Sequence, residues 1–291
     1  MWIQGEFVAG VVWLKMPELP EVETVRRGLI PVLEGKTIKE IKVYREGLRY
    51  PFPPFFTERL KGQLIVNLTR RAKYLLLHLN EGHTLVVHLG MSGRLRIEDT
   101  GSFTLQKHDH VVFCNNENKT IAYNDARRFG LMDLVQTTLL NHHPLFKHLG
   151  PEPFDDDLIP EVFHDLLKKR QHSIKIALLD QRMIVGIGNI YASEALWGSG
   201  IHPLKASRAL TLRDAGNLLD HIRKVLQRAI EAGGSTLKDH QQPDGKLGYF
   251  QHQFAVYGRH LASCSREGCS GHIKKETLGG RSTFYCDECQ N

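Results

Sequence analysis

The sequence predicts an α+β chain: an N-terminal β-sandwich or barrel entered through a helix, a C-terminal helical domain and a zinc-ribbon tail. Three observations carry that prediction. Short β-rich runs broken by Gly, Asn and charged turns fill residues 62–135. Apolar residues at helical spacing run through 218–230. Cysteines crowd into 264–289 as two knuckles.

Residues 1–16 are expected to be an N-terminal extension left by a misassigned upstream start codon. They lack a basic start, their apolar stretch Phe7 to Leu14 is broken by Gly10, and no small-residue cleavage site follows, so they fit neither a signal peptide nor a membrane span. The competing expectation is a genuine extension. From Met16 onward, Pro17-Glu18-Leu19-Pro20-Glu21-Val22-Glu23-Thr24 reads like the beginning of a protein. As an N-terminal residue Pro17 is a secondary amine, nucleophilic near neutral pH, and its attack on a sugar carbon yields an iminium directly. Glu18 beside it is placed to shuttle the protons. Inside a longer chain the same nitrogen is an inert amide.

Val22, Val25, Leu29 and Val32 then recur at helical spacing. The strands expected next contain Leu64-Ile65-Val66, Tyr74 to Leu77, Leu85-Val86-Val87 and Gly130 to Val135. Gly150-Pro151-Glu152-Pro153 with the acidic run Asp155-Asp156-Asp157 suits neither strand nor helix and marks a linker. Beyond it Leu218, Leu219, Ile222, Val225, Leu226 and Ile230 line one face of a long helix that stops at Gly233-Gly234. The resulting division is 17–149, 150–254 and 255–291, with no internal repeat.

Composition narrows the function. The 291 residues, 33.1 kDa, carry a net charge of +6 and a pI near 9.0, which favours a polyanionic partner. No apolar run approaches the ~20 residues of a transmembrane helix. Cys264-x4-Cys269 and Cys286-x2-Cys289 have structural zinc-ribbon spacing, and four thiolates leave the metal no open position for chemistry. Cys114 reads as plain core. Between the knuckles, Gly279-Gly280 makes a turn that pushes Arg281 outward, either toward a ligand or merely into solvent.

Taken together, the motifs resemble the bacterial formamidopyrimidine-DNA glycosylases from Met16 to Asn291. Besides Pro17-Glu18-Leu19-Pro20-Glu21 they include Arg70-Arg71-Ala72-Lys73-Tyr74, His88-Leu89-Gly90-Met91-Ser92-Gly93, Lys107-His108-Asp109-His110, Asp125-Ala126-Arg127-Arg128-Phe129-Gly130 and Val185-Gly186-Ile187-Gly188-Asn189-Ile190-Tyr191. Gly233-Gly234-Ser235-Thr236-Leu237-Lys238-Asp239 and Arg281-Ser282-Thr283-Phe284-Tyr285-Cys286 complete the set. The sister family, endonuclease VIII, usually has glycine where Leu19 stands, so oxidised purines are favoured over pyrimidines as substrate.

The resemblance implies an N-terminal catalytic β-sandwich domain with flanking helices, a helix-two-turn-helix DNA-binding domain with a lesion-recognition loop, and a zinc-finger β-hairpin. It implies a base-excision-repair glycosylase and AP lyase that acts as a monomer on double-stranded DNA carrying oxidised purines or abasic sites. The setting is the bacterial cytoplasm, on the nucleoid and away from membranes. Pro17 is then the nucleophile, Glu18 the acid at the sugar ring oxygen, Lys73 the proton-transfer group for β-elimination and Arg281 the group for δ-elimination. Met91 and Phe129 fill the gap left by an extruded base, which costs a few kcal/mol of unstacking. Arg127 reads the orphaned base, and His108, Arg170 and Asn189 bind the backbone. Bland alternatives are a turn proline, a helix-end acid, a solvent-face lysine and core packing for Met91 and Phe129. The turn at Gly186-Ile187-Gly188-Asn189 is expected to open a helix whose N–H groups take a phosphate; a dinucleotide fingerprint fails there for want of a third glycine. One structural Zn2+ is expected on Cys264, Cys269, Cys286 and Cys289. The x4 knuckle departs from the family's usual two intervening residues, so His260 or His272 could substitute. Retention of residues 1–15 implies instead a catalytically silent lesion-binding protein. A generic zinc-ribbon nucleic-acid binder leaves Pro17, Glu18 and Lys73 without a role.

Overall fold

The computed structural model describes residues 16–235 and 248–291. The extension at 1–15 and the motif portion Thr236 to Asp239 lie outside the described residues. Helix α1 (Leu19–Leu33) starts where expected, with the Glu18 N–H donating to the Glu21 carboxylate at 3.0 Å, and it buries Val22, Val25, Leu29 and Leu33. Val32 is only half-buried.

An eight-stranded antiparallel sheet follows, comprising β1 (Lys36–Val43), β2 (Leu64–Arg71), β3 (Tyr74–Leu79), β4 (His83–His88), β5 (Arg94–Asp99), β6 (Asp109–Asn115), β7 (Lys119–Asn124) and β8 (Leu131–Gln136). Its order is β5-β7-β6-β1-β2-β3-β4-β8. Strand β1 is the hinge: Lys36 and Thr37 pair with β2, the register shifts between Ile38 and Glu40, and the rest pairs with β6. Leu75 and Leu77 from one half share a core with Phe113 and Ile121 from the other and with α1, the expected sandwich. Strands β1, β5, β6 and β7 were not among the runs expected as strands. Cys114 is not plain core, because β6 turns it toward a half-exposed face.

The second domain holds α3 (Pro160–Lys168), α4 (Ile174–Leu179), α5 (Asn189–Ser199) and α6 (Leu212–Glu231), after the short α2 (Phe56–Leu60) of the first. Thr211 and Asp214 cap the start of α6 reciprocally, and both Gly233 and Gly234 take positive φ beyond its end. The linker is pinned to the sandwich: Glu152 accepts from Arg70 at 2.7 Å, Arg71 at 2.9 Å and the Ala72 N–H at 2.6 Å. Strands β9 (Ile273–Leu278) and β10 (Arg281–Cys286) form the tail hairpin. Ile273, Phe284 and Cys286 belong to the same apolar core as α5 and α6, and Leu19 of α1 joins them. Among the described residues no helix is long and apolar enough to cross a membrane.

Candidate active site

A cavity of about 580 Å3 gathers side chains from both domains and the tail, among them Glu18, Lys73, Met91, Asn189 and Arg281. Met16 lines it too, and Pro17 is buried in the chain between these two lining residues, Met16 and Glu18. The reason is that the start of α1 seats on the turn that opens α5. The Leu19 N–H donates to the Gly186 carbonyl at 3.0 Å, and a Cβ on Gly188 would sit 2.3 Å from the Glu18 carboxyl carbon. Only glycine admits that approach.

Glu18 accepts N–H bonds from Gly188 at 2.7 Å, Ile190 at 3.0 Å and Tyr191 at 3.4 Å, the open N-terminus of α5. This corrects the expected phosphate cradle: the anion that those N–H groups hold is the Glu18 carboxylate. Burial nevertheless outweighs the donors and the Lys73 charge, so the Glu18 pKa is raised. Its carboxyl is poised to carry a proton.

Lys73 is not in a strand as expected. It occupies the turn between β2 and β3, next to Ala72 at φ 52°, and its Nζ donates to the Ile187 carbonyl at 3.1 Å. The solvent-face alternative fails because the side chain is buried, and burial, then the Arg281 charge, pulls its pKa down against the pull of Glu18. Arg281 is exposed at the hairpin tip, where Gly279 and Gly280 both have positive φ. Asn189 is less free than a phosphate ligand should be. Its Nδ2 donates to the Ser282 carbonyl at 2.7 Å, and its Oδ1 accepts from Lys175 Nζ at 2.6 Å.

Beside the cavity, two loops are knotted together. The Asp125 carboxylate accepts from the Gly130 N–H at 2.9 Å and from the Ser92 hydroxyl, while Ser92 Oγ accepts from the Arg127 N–H at 3.0 Å. Met91 is half-exposed and Phe129 is 45% exposed, which removes core packing as its role. The Arg127 guanidinium lies 4.8 Å from the Phe129 ring centroid. Its Nη1 is buried with no hydrogen-bond partner among the described residues. His108, at φ 76°, and Arg170, 3.6 Å from Asp180, are half-exposed and do not line the cavity.

In the tail the four Sγ atoms lie within 4.8 Å of one another, with Cys264 to Cys289 and Cys269 to Cys286 both at 3.7 Å. A tetrahedron with Zn–S near 2.3 Å has edges of about 3.8 Å, so the donor set fits one structural zinc. Neither His260 nor His272 joins that cluster, and the longer x4 knuckle still closes on four sulfurs.

The formamidopyrimidine-DNA glycosylase N-terminal domain matches residues 16–132, the H2TH domain of the same enzymes residues 149–241, and the zinc finger found in FPG and IleRS residues 263–291. The chain belongs to the formamidopyrimidine-DNA glycosylase family. It is accordingly a DNA glycosylase of base excision repair, with the AP lyase activity of that family. Relatives carrying that name in Roseobacter denitrificans and Paracoccus denitrificans are 49% identical, with 94% of this chain covering 100% of each. Among solved structures, the MutM (Fpg) protein of Thermus thermophilus is 38% identical with TM-score 0.83, covering 94% of this chain and 98% of that one. Lactococcus lactis Fpg in complex with abasic-site DNA is 35% identical with TM-score 0.85, covering 94% and 99%.

The sequence reading missed a polar layer beneath the glycosylase cavity. Lys175 is fully buried, donates to Asn189 and to Ser193 Oγ at 3.2 Å, and has its pKa lowered to about 7 by burial. Glu21 accepts from the Tyr191 hydroxyl at 2.6 Å and from Ser235 N and Oγ at 2.9 and 2.8 Å. Nothing local flags these residues; a lysine inside the apolar run Ile174 to Leu179 was the one available signal.

Proposed function

We propose that this glycosylase acts through Pro17 as a free N-terminal amine on oxidised purines such as 8-oxoguanine and formamidopyrimidines. The carrying observation is the convergence of Glu18, Lys73 and Arg281 on one cavity, with Pro17 in the chain between two of its lining residues, Met16 and Glu18. The amine attacks C1′ and the base departs with its bonding electrons. Protonation of the ring oxygen by Glu18 opens the sugar to an iminium. The raised Glu18 pKa and the lowered Lys73 pKa suit an acid and a base sharing one site. Lys73 serves the proton transfers of β-elimination, and Arg281 stands by the phosphate lost in δ-elimination.

Met91 and Phe129 fill the vacated stack, and Arg127, with its unpartnered Nη1, reads the orphaned base. His108, Arg170 and Asn189 serve the backbone. Residues 17–149 form the catalytic domain, 150–254 the helix-two-turn-helix domain with the lesion-recognition loop, and 255–291 the finger. The enzyme works as a monomer on nucleoid DNA in the bacterial cytoplasm.

The test is borohydride trapping on an 8-oxoguanine duplex with protein whose N-terminus is verified by intact mass. Protein beginning at Pro17 should yield an adduct mapping to that residue, and protein retaining residues 1–16 should yield none. An adduct formed by the extended protein through any residue would overturn the mechanism.

A further inference from the structure

A second cavity, of about 990 Å3, shares no lining residue with the catalytic one. Its walls are the C-terminal end of α5, one face of α6, the segment 250–259 and the first zinc knuckle. Its floor is apolar: Phe250 and Phe254 are buried there beside Val225. Around that floor stand Arg223, Lys224, Arg228, Arg259 and Arg266.

Most of these charges have no carboxylate paired with them among the described residues. Arg223 donates to the Pro153 and Leu158 carbonyls, Arg228 to Gln253 and Arg259 to the Ala255 carbonyl, all uncharged acceptors, while Arg266 donates to the Trp197 carbonyl and hydrogen-bonds the Cys289 sulfur of the zinc site. Among the described residues no ion pair reaches any of these cations. Glu194 is the carboxylate of the lining; it accepts the N–H groups of Ala255, Val256 and Tyr257 and offsets Arg259. Arg266 Nε is buried without a hydrogen-bond partner among the described residues. A concave wall of one sign over a low-dielectric floor focuses its field on whatever enters.

We propose that this groove docks an acidic peptide segment bearing a large apolar side chain, supplied by a partner protein. Carboxylates meet the guanidinium forks and Lys224, as arginine clusters receive acidic motifs elsewhere. The apolar side chain packs on Phe154, the exposed aromatic residue of the lining. A single-stranded nucleic acid fits less well, because it needs a row of aromatic faces for successive bases and Phe154 is the one exposed large aromatic of the lining among the described residues. Here Arg228 already lies 6.0 Å over the Phe250 ring and Arg266 5.0 Å over that of Trp197.

The experiment uses the full zinc-loaded chain and a fluorescein-labelled synthetic peptide of alternating Asp and Gly ending in Phe, read by anisotropy. Saturable binding is expected, weakened about tenfold or more by Lys224→Glu with Arg228→Glu, by Ala in place of the peptide's Phe, and by high salt. Excision from a lesion duplex should stay unchanged in that variant. If its thermal unfolding shifts, Arg228→Ala alone takes its place. Failure to bind, or equal binding to wild type and variant, overturns the proposal. Equal binding of the Phe-less peptide overturns it too, leaving a merely charged surface. Oligothymidylate of equal charge binding more tightly, and lost in the same variant, would make the groove a nucleic-acid surface instead.

Discussion

Glu18→Gln keeps the shape of the side chain and replaces one carboxylate oxygen with an NH2 group. In the wild type Oε2 takes the N–H groups of Gly188 and Tyr191, and Oε1 takes that of Ile190. Whichever oxygen becomes nitrogen, at least one buried donor loses its acceptor, and the least harmful rotamer strands Ile190. A stranded buried donor costs about 1–3 kcal/mol, lowering Tm by several degrees in a chain of this size. Lys73 also loses a buried counter-charge.

The pH dependence has a definite sign. Burial raises the Glu18 pKa, so the folded state binds that proton more tightly than the unfolded chain does. Stability falls as pH rises through the interval from the ordinary 4.5 to the raised value, and Glu18→Gln should flatten that fall, leaving the share owed to Glu194, whose pKa is also raised. For chemistry, losing a general acid should slow excision by about 10² or more. Duplex affinity should change little, since the substitution is isosteric and buried. Denaturant unfolding from pH 4 to 8, single-turnover excision and duplex binding report the three effects. Excision within a few-fold of wild type would refute the acid role, and unchanged stability and pH slope would refute the hydrogen-bond reasoning.

Arg170→Ala should weaken binding to every duplex and lower the slope of log K against log salt by about 0.9; an unchanged slope removes Arg170 from the phosphate contacts. Phe129→Ala should leave Tm unchanged, because that ring is largely exposed, yet cost about 1–3 kcal/mol in binding to a lesion duplex. Equal affinity of the two proteins would exclude Phe129 as the wedge. Chelation or Cys286→Ser should remove zinc worth about 10–16 kcal/mol in comparable peptides and abolish binding to an abasic-site duplex. Arg281→Ala should keep the metal and lose mainly affinity and δ-elimination. Zinc-free protein that binds as tightly as the holo form would reduce the finger to an appendage.

What could be read from the sequence was what repeats locally or carries a spacing. Val22, Val25 and Leu29 announced α1 because three positions on one face suffice, and the cysteines announced the metal because ligand spacing is nearly a geometry in itself. Strand β1 escaped because its register shift between Ile38 and Glu40 breaks the alternation that marks a strand. Lys73 was picked out by the resemblance but placed in a strand, since the left-handed Ala72 beside it has no compositional signature. The Gly186 turn was read as a phosphate site because an open helix N-terminus says that an anion belongs there without saying which. The Glu21 network lay beyond reach because its partners are distant in sequence, whereas Lys175 left one signal, a lysine inside an apolar run, that went unread.

Helix α5 begins at the N–H groups that hold Glu18 and, at its far end, Trp197 Nε1 donates to Cys264 Sγ at 3.4 Å. Its 11 residues measure about 16 Å. One rod thus sets both the separation and the rotational phase of two sites that β10 also joins, from Arg281 to Cys286. Adding or deleting a single residue within it would turn one end by about 100° relative to the other. Either the carboxylate or the sulfur would then face the wrong way. Loop lengths elsewhere in this molecule can drift, but the length of this helix is a dimension of the machine.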